Sequence, residues 1–341
     1  MKIAQVSPLF ESVPPKHYGG TERVISYLTE ELVHQGHEVT LFASGDSTTE
    51  ARLIAPCAQS LRPEMLRYPW LAYHTIQMDM VAEMASEFDV LHFHTDYLHF
   101  PIAKRLGTAH VTTLHGRLDL PELEPLYKRF PHIPVVSISN SQRAPLPWGD
   151  WHATVYHGLP DNLYSFVPEA GNYFVFIGRI SPEKRLDRAI DIALQCDMPL
   201  YIGAKIDKAD EAYFEEQIKP LLRHPKLQFL GEIGEREKRE LLGHATALLF
   251  PIDWPEPFGL VMIEAFSCGT PVIAYPHGSV PEIMEDGVTG YTVTSQEEAV
   301  RAARNIHLID RKGCREAFER RFTATHMAEN YLRVYQQLLS G

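Results

Sequence analysis

Two glutamates with seven residues between them, Glu256 and Glu264, have the setting in this sequence that most strongly indicates chemistry. Glu256 lies in a loop between two prolines, whereas Glu264 lies in a stretch, residues 258–266, that is otherwise apolar and predicts a buried helix. A carboxylate inside a buried helix is costly unless it meets good hydrogen-bond donors. The pattern therefore favours a functional role for Glu264 over two ordinary surface glutamates.

The start of this predicted helix, near Phe258, has the properties of an anion site. Gly259 removes a side chain at a point where the backbone amides still have no partner. Such amides and the positive end of the helix bind phosphate. One anion site flanked by two carboxylates suits a ligand with phosphate in its middle and hydroxyls at both ends, and a nucleoside diphosphate sugar is such a ligand.

A second cluster contributes positive charge. Residues 173–177 predict a strand that is followed by Gly178-Arg179, and Ser181 with Pro182 predicts a cap and first turn of an amphipathic helix. Arg179 and Lys184 then lie between a strand's carboxyl end and a helix's amino end, where α/β folds bind ligands. Basic residues at such a turn are often only solvated, but together with the glutamate segment they predict a diphosphate clamp.

Four polar residues of the N-terminal half, His92, His94, Asp96 and His99, raise the hypothesis of a metal site, because the first two share one face of a predicted strand. Sugar contacts or packing beside a cleft explain them equally well. We favour that explanation and predict no metal ion, so activity should be unchanged in EDTA.

Strands alternate with helices along the whole chain, which favours parallel sheets covered on both faces. A first helix is predicted with Thr21 as its cap and Gly36 at its end. The predicted strands are Lys2–Val6, 37–43, 89–94, 110–114, 135–139, 153–156, 173–177, 200–203, 227–230, Ala247–Phe250 and Val272–Ala274.

At 341 residues the chain exceeds what one hydrophobic core usually supports. The predicted fold class is α/β, with two doubly wound, Rossmann-like domains in tandem and a ligand cleft between them. A polar linker at 157–171 separates the two, and a last helix crosses back to the first domain. The predicted domains are 1–160 with 323–341, and 171–322.

The composition excludes several classes of protein. With 32 basic and 44 acidic residues the net charge is −12, and no Lys/Arg run exists, which disfavours binding to nucleic acid or to anionic lipid. Met1 leads into a strand rather than a signal peptide, and no apolar run reaches the length that spans a bilayer. The four cysteines are too far apart for a metal motif and predict free thiols in a reducing compartment.

These features predict a cytoplasmic protein with at most peripheral membrane association. One stretch rich in methionine and aromatic residues, 63–85, is less regular. Core packing of one or two helices is the favoured interpretation, and an acceptor groove or a membrane-touching face is the alternative.

Along essentially its whole length the chain resembles the family-four retaining glycosyltransferases of the GT-B fold. Glu256 and Glu264 resemble that family's paired glutamates. The other matching motifs are the glycine loop at 19–23, His115-Gly116, the strand end at 230–233, the donor-phosphate turn at 178–184, and the stretches 278–282 and 286–290. The chain departs from the family at the junction of the domains, where His157-Gly158-Leu159-Pro160 replaces the frequent Asn-Gly-x-Asp.

The resemblance implies a role for each matching residue. Arg179 and Lys184 would hold the donor diphosphate and neutralise the leaving phosphate, Glu256 would bind hydroxyls of the donor sugar, and Glu264 would bind the ribose. His115 would orient the transferred sugar. The remaining donor-binding positions are Gly19, Gly20 (close to the phosphate), Ile233 (near the base), Phe258, Gly259 and Leu260 (backbone amides).

The activity implied is transfer of a hexose, with UDP-glucose favoured as donor, to a saccharide, lipid-linked or other hydroxyl acceptor in polysaccharide or glycoconjugate biosynthesis. The nucleotide sugar is a co-substrate, and no cofactor or metal is expected. The first domain would bind the acceptor and the second the donor. GDP-mannose and UDP-N-acetylglucosamine stay open as donors. A nucleotide-sugar epimerase of the GT-B type and a non-catalytic nucleotide-sugar-binding protein are the alternative functions.

Overall fold

The computed structural model describes residues 1–16, 19–62 and 69–340, which form two compact units. Unit 1 comprises Met1–Pro160 and Ala324–Gly341, and unit 2 comprises Asp161–Thr323. Unit 2 therefore begins at Asp161 instead of residue 171, and Thr323 belongs to it and not to unit 1. None of the helices in the described ranges is long and apolar enough to cross a membrane.

The elements are as follows. The strands are β1 (Lys2–Val6), β2 (Glu38–Phe42), β3 (Arg52–Ile54), β4 (Val90–Phe93), β5 (Ala109–Thr113), β6 (Val135–Ser137), β7 (Trp151–Thr154), β8 (Phe174–Arg179), β9 (Leu200–Lys205), β10 (Leu227–Gly231), β11 (Ala247–Phe250), β12 (Val272–Ala274) and β13 (Gly290–Thr292). The α-helices are α1 (Gly20–His34), α2 (Trp70–Met84), α3 (Phe100–Ala103), α4 (Glu124–Arg129), α5 (Asn140–Arg143), α6 (Leu186–Gln195), α7 (Glu211–Tyr213), α8 (Glu235–His244), α9 (Leu260–Cys268), α10 (Val280–Ile283), α11 (Gln296–Asn305), α12 (Arg311–Arg321) and α13 (Ala324–Ser340).

Each unit is built on one parallel sheet. The order in unit 1 is β3-β2-β1-β4-β5-β6-β7, and in unit 2 it is β10-β9-β8-β11-β12-β13. In both sheets the chain first runs outward in one direction and then returns to the other side of the starting strand, which is the doubly wound topology. The predicted fold class, α/β with two Rossmann-like domains, is confirmed.

The long C-terminal helix α13 belongs to unit 1, where it packs against α1 and β5. Its apolar face buries Met327, Tyr331, Val334 and Tyr335. These residues recur at helical spacing, so one stripe of the helix faces the unit 1 core. The expectation that the last helix returns to the first domain is thereby confirmed.

Two predicted helix starts were wrong. Gly19, without a side-chain bond, occupies the N-cap of α1, and Thr21 lies inside the helix. Ser181 and Pro182 begin only a single 3₁₀ turn, because Arg185 adopts a left-handed conformation (φ 54°) and α6 starts after it, at Leu186. The helix predicted to start near Phe258 begins at Leu260.

Strand boundaries also differ from the prediction. β7 starts two residues earlier than predicted, whereas β8 ends in Gly178-Arg179 as predicted. The strands β3 and β13 were not predicted. Of the stretch 63–85, residues 63–68 lie outside the described residues, and α2 places Met78 and Val81 in the unit 1 core.

Candidate functional site

The candidate site of unit 2 lies where β8 and β11 run side by side. Their connections leave in opposite directions, so the carboxyl ends of the two strands form the switch point at which doubly wound sheets bind ligands. Arg179 ends β8, and Lys184 ends the 3₁₀ turn that follows. Glu256 lies in the loop after β11, and α9 begins directly behind that loop. The fold thus brings the predicted basic and acidic residues to one edge of the sheet.

Lys184 and Glu256 form a buried ion pair, in which Lys184 Nζ donates to Glu256 Oε2. Their side chains are only 14% and 12% exposed. Trp254 Nε1 donates to the same carboxylate oxygen at 3.0 Å, and Lys184 Nζ lies 4.8 Å from the centroid of the Trp254 ring. The indole therefore contacts both charges and holds them in place. Sequence reasoning missed Trp254.

Arg179 is held by carboxylates on both sides. Its guanidinium lies 2.9 Å from Glu183 Oε1 and 3.5 Å from Asp207 Oδ2, and about a third of the side chain is exposed. Asp207 follows β9, the strand next to β8. A guanidinium held in this way presents a positive charge of fixed position at the sheet edge, which suits recognition of phosphate oxygens.

The amino end of α9 has the features of an anion-binding site. Gly259 has φ 79°, and a Cβ built on it would lie 2.8 Å from Met262 Cε and 3.2 Å from Phe250 Cζ. The first amides of a helix have no carbonyl partner within it, and the Met262 amide already donates to the Gly259 carbonyl at 3.0 Å, so those of Leu260 and Val261 are the ones available to an anion. Ser279 Oγ donates to the Phe258 carbonyl at 2.7 Å and thereby fixes the loop in front of the helix.

The loop that carries Glu256 is packed against a second glycine. Gly278 has φ 60°, and a Cβ there would lie 2.3 Å from both the backbone nitrogen and the backbone oxygen of Glu256. The adjacent Ser279 amide donates to the Glu256 carbonyl at 2.9 Å. Only glycine permits this approach of two backbones, so residue 278 determines where Glu256 lies.

Glu264 is buried in α9, as predicted, and meets a donor that the sequence did not indicate. Lys238 Nζ, on α8, donates to Glu264 Oε1 at 2.6 Å and lies 3.3 Å from Glu235 Oε2. The side chains of Glu264 and Lys238 are 4% and 13% exposed. Tyr164 donates its hydroxyl to Glu235, which ties the loop before β8 to the same cluster. The burial of Glu264 predicts a good hydrogen-bond donor beside it, but the sequence pattern does not indicate which residue provides it.

Ile233, the residue expected near a base, follows β10 at the same edge of the unit 2 sheet. Its side chain lies over Gly203 of β9, where an added Cβ would be 2.5 Å from Ile233 Cδ1. Unit 2 therefore holds Arg179, Lys184, Ile233, Glu256, Phe258, Gly259, Leu260 and Glu264.

The other predicted residues, Gly19, Gly20 and His115, belong to unit 1. Gly19 and Gly20 form the start of α1, and a Cβ on Gly19 would lie 2.8 Å from Pro15 Cβ. Glu22, two residues into the helix, is buried, and burial raises the pKa of its carboxyl group. Gly19 thus lets Pro15 lie close to the helix start, at the carboxyl edge of the unit 1 sheet.

His115 follows β5 and is part of a buried histidine network. Its Nε2 lies 2.8 Å from His94 Nδ1, and its ring stacks on His157 with the centroids 5.4 Å apart and the planes inclined by 19°. His157 is the residue at which the chain departs from the family pattern, so this departure packs directly on His115. Burial lowers the pKa of His115 to about 3, and the ring is neutral at physiological pH.

The four residues of the metal hypothesis are not arranged as metal ligands. His92 lies 2.7 Å from both Tyr335 Oη and Thr113 Oγ1, and His99 lies 2.6 Å from Thr112 Oγ1. Within residues 1–16, 19–62 and 69–340, no group of three or more His, Cys, Asp or Glu side chains could hold a metal ion. The ring nitrogens of His92, His94 and His99 are instead engaged by neighbouring protein groups.

Comparison with known proteins identifies the chain. The sequence model described as "Glycosyl transferases group 1" matches residues 165–321, and the one described as "Glycosyltransferase Family 4" matches residues 18–147. Between them they cover both units. The predicted site residues of both units lie within these two matches.

Three similar proteins illustrate the relationship. An uncharacterized 41.2 kDa protein in the cps region of Klebsiella pneumoniae is 27% identical over 48% of this chain and 45% of its own length. A phosphatidyl-myo-inositol mannosyltransferase of Mycobacterium leprae is 22% identical over 100% of this chain and 98% of its own. The structure of Anabaena HepE in complex with UDP-glucose has a TM-score of 0.72 and 21% identity, and each chain is covered completely.

The chain belongs to the family-4 glycosyltransferases and has the GT-B fold. Sugar transfer from a nucleotide-sugar donor is the activity that this membership supports.

Proposed function

We propose that the protein is a retaining hexosyltransferase that moves glucose from UDP-glucose to a hydroxyl of a saccharide or lipid-linked acceptor, in polysaccharide or glycoconjugate biosynthesis. The observation that carries the proposal is the buried Lys184–Glu256 pair beside the open amino end of α9. A cation for phosphate, a carboxylate for sugar hydroxyls and free helix amides then lie at one switch point.

Lys184 and Arg179 bind the donor diphosphate in this proposal. Lys184 turns from Glu256 to the phosphate when the donor enters, and Glu256 accepts hydrogen bonds from the sugar hydroxyls in its place. The exchange keeps both charges paired, since a buried charge left alone is costly. The amides near Gly259 and Leu260 bind the same phosphate.

The ribose is the ligand of Glu264, whose carboxylate Lys238 holds in position. Ile233, at the end of β10, packs on the base. For unit 1, the family resemblance assigns Gly20 to the donor phosphate and His115 to the transferred sugar.

Retention at the anomeric carbon follows from a front-face displacement. The acceptor oxygen bonds to the anomeric carbon while the bond from that carbon to the phosphate oxygen breaks, and the acceptor proton passes to the departing phosphate. Catalysis is then positional and electrostatic, with positive charge fixed where the phosphate develops negative charge. Metal is not needed in this scheme, so treatment with EDTA is expected to leave the transfer rate unchanged.

A thermal-shift screen of nucleotide sugars tests the choice of donor. A donor present at about 100 times its Kd adds about 2.7 kcal/mol to the free energy of unfolding. UDP-glucose is expected to raise Tm more than GDP-mannose or UDP-N-acetylglucosamine. A larger shift with GDP-mannose would contradict the UDP-glucose proposal and agree with the similarity to a mannosyltransferase.

The two alternative functions are separated by incubation without acceptor. An epimerase converts the donor to an isomeric nucleotide sugar, a transferase yields at most slow hydrolysis, and a non-catalytic binding protein yields neither hydrolysis nor transfer. Transfer to an acceptor with the anomeric configuration kept, followed by NMR, supports the proposal, whereas inversion contradicts it.

Replacement of Lys238 by methionine tests the ribose site. Glu264 loses its cation, so we expect kcat/KM for the ribonucleotide donor to fall about tenfold, the equivalent of one charged hydrogen bond. The loss should be much smaller for a donor that lacks a ribose hydroxyl. Lys219, an exposed lysine that pairs with Glu215, gives the matched control K219M. Equal losses for the ribose and deoxyribose donors would contradict the assignment.

Replacement of Gly278 by alanine tests the position of Glu256. The new Cβ must displace the Glu256 backbone, so we expect a loss of about tenfold or more in kcat/KM. Gly287 has a similar φ, 74°, but no atom within 4 Å of an added Cβ, which makes G287A the control for backbone strain alone. Both variants should lower Tm, and only G278A should lower activity.

A further inference from the structure

Three side chains from neighbouring strands of unit 1 form a hydrogen-bonded series that ends at His115. Gln5 lies on β1, His94 follows β4 and His115 follows β5, and these strands are adjacent in the sheet. Gln5 Oε1 lies 2.8 Å from His94 Nε2, and His94 Nδ1 lies 2.8 Å from His115 Nε2. Gln5 and His94 are buried, which makes the series internal to the unit.

Each ring in the series has one N–H donor and one bare acceptor nitrogen. Burial lowers the pKa of His94 well below its ordinary value and that of His115 to about 3, so both rings are neutral. A neutral imidazole donates through one nitrogen and accepts through the other. The direction of the bond at one end of the series therefore fixes the direction of every bond after it.

The Gln5 amide fixes that direction. Its nitrogen lies 3.2 Å from Tyr335 Oη. The amide nitrogen thus faces Tyr335, and the carbonyl oxygen faces His94. Tyr335 remains free to donate its own hydroxyl to His92 Nδ1 at 2.7 Å.

We infer that Gln5 and His94 are positioning residues that fix the tautomer of His115, so that His115 presents Nδ1 as a hydrogen-bond acceptor to a substrate hydroxyl. His94 carries its proton on Nε2 and gives it to Gln5, and its bare Nδ1 accepts from His115 Nε2. His115 Nδ1 is then bare. It is buried and has no hydrogen-bond partner in the described part of the chain.

The opposite Gln5 orientation has the opposite chemical consequence. His94 Nδ1 would donate to His115 Nε2, and His115 Nδ1 would carry a proton and seek an acceptor such as a phosphate oxygen. The inferred tautomer instead selects a ligand that offers an O–H. The identity of that ligand, the hydroxyl of a sugar, rests on the proposed function; the tautomer does not.

The tautomer is measured by two-bond proton–nitrogen correlation NMR on the full chain labelled with ¹⁵N-histidine, with H115N to assign the signals. We expect His115 to show a protonated Nε2 and a bare Nδ1. In Q5M, which keeps the shape of the side chain and removes its amide, a mixture of the two His115 tautomers is expected. Gln77, a second buried glutamine of unit 1 that donates to Ser7 and Phe42 carbonyls, gives the control Q77M, in which the His115 tautomer stays fixed.

The acceptor role is measured with a set of UDP-glucose analogues in which each hydroxyl in turn is replaced by fluorine, which cannot donate. In the wild type, fluorine at one position should lower kcat/KM about tenfold, the equivalent of one hydrogen bond. The same analogue should lower kcat/KM distinctly less in Q5M and H115A. A protonated His115 Nδ1 in the wild type overturns the inference and leaves sugar transfer intact. The inferred tautomer in a protein that transfers no sugar supports the tautomer assignment and overturns the proposed function instead. An equal loss in wild type and H115A at every position overturns the acceptor role.

Discussion

The K184M variant is expected to lose a factor of about 10²–10³ in kcat, because the preorganised charge that faces the leaving phosphate is gone. Lys184 is buried and, in the proposed scheme, already pairs with the donor phosphate before the reaction, so it has little reorganisation to make when charge develops. An exposed lysine would contribute far less, since water screens its charge. The expected loss therefore depends on the burial that the structure shows. Initial rates of transfer, or of donor hydrolysis where no acceptor is at hand, measure it.

Separation of binding from chemistry makes this test specific. The Kd for UDP should rise far less than kcat falls, because only the transition state places extra charge on the phosphate. Arg179, at the end of β8, has two carboxylates beside it, and R179A should show a loss of similar size. K219M, at an exposed position of unit 2, should leave kcat unchanged. Unchanged turnover in both K184M and R179A would contradict the proposal that these two residues bind the donor diphosphate.

The fold could be predicted because its signals are local. Strands such as Ala247–Phe250 are short apolar runs bounded by loops, and their alternation with helices is enough to indicate a doubly wound sheet. The errors arose where local signals were ambiguous. Ser181-Pro182 has the composition of a helix start, but Arg185 is held left-handed with its guanidinium bonded to Asp187 and Asp253, and the second of these is a tertiary contact.

The candidate site was predictable only in part, for the same physical reason. The cost of burying Glu264 could be foreseen from the apolar residues around it. The donor that offsets this cost, Lys238, lies on another helix, and its pairing depends on how α8 packs on α9. A sequence pattern of one helix contains no information about that packing, so Lys238 and Trp254 emerged only from the structure.

The histidines show the same limit more strongly. Their place on one face of a strand was visible, and the rings of His92 and His94 do lie only 4.1 Å apart. Their partners come from other elements: Gln5 from β1 and Tyr335 from α13. The adjacency of β1, β4 and β5 and the return of the C-terminal helix both had to be known before a buried network could be distinguished from a metal site.

Acid is expected to destabilise unit 1 steeply between pH 6.5 and 5, because its buried histidines cannot take up protons while it is folded. In five of them burial lowers the pKa far below its ordinary value, in His115 to about 3. The unfolded chain binds protons near the ordinary histidine pKa of 6.5, so below that pH the unfolded state holds more protons and the free energy of unfolding falls. The five are His92, His94, His99, His115 and His157.

Hydrogen exchange, corrected for the pH dependence of intrinsic exchange, measures this loss unit by unit. Peptides from β1, β4 and β5 should lose protection between pH 7 and pH 5.5, and those from β8, β11 and β12 should lose less. H99Q is expected to reduce the loss in the free energy of unfolding by about 1.4 kcal/mol per pH unit, the contribution of one proton. Q77M should lower stability by a similar amount at both pH values, since it removes a buried hydrogen-bonding group that does not titrate. Equal protection of unit 1 at pH 7 and pH 5.5 would contradict the prediction.

The size of the loss in the free energy of unfolding decides whether unit 1 stays folded in mild acid. Each histidine that protonates only in the unfolded state removes about 1.4 kcal/mol per pH unit, so five of them together remove roughly 6 kcal/mol per unit near pH 5.5. A domain has only about 5–15 kcal/mol to lose. Two carboxyl groups of unit 1, Glu22 and Asp96, have pKa values raised by desolvation and act in the opposite direction. Their effect lies between their ordinary pKa values, 4.5 and 3.8, and the raised ones, and two carboxyl groups offset at most two of the five protons. We therefore expect unit 1 to unfold above pH 5, before the carboxylates of either unit are extensively protonated.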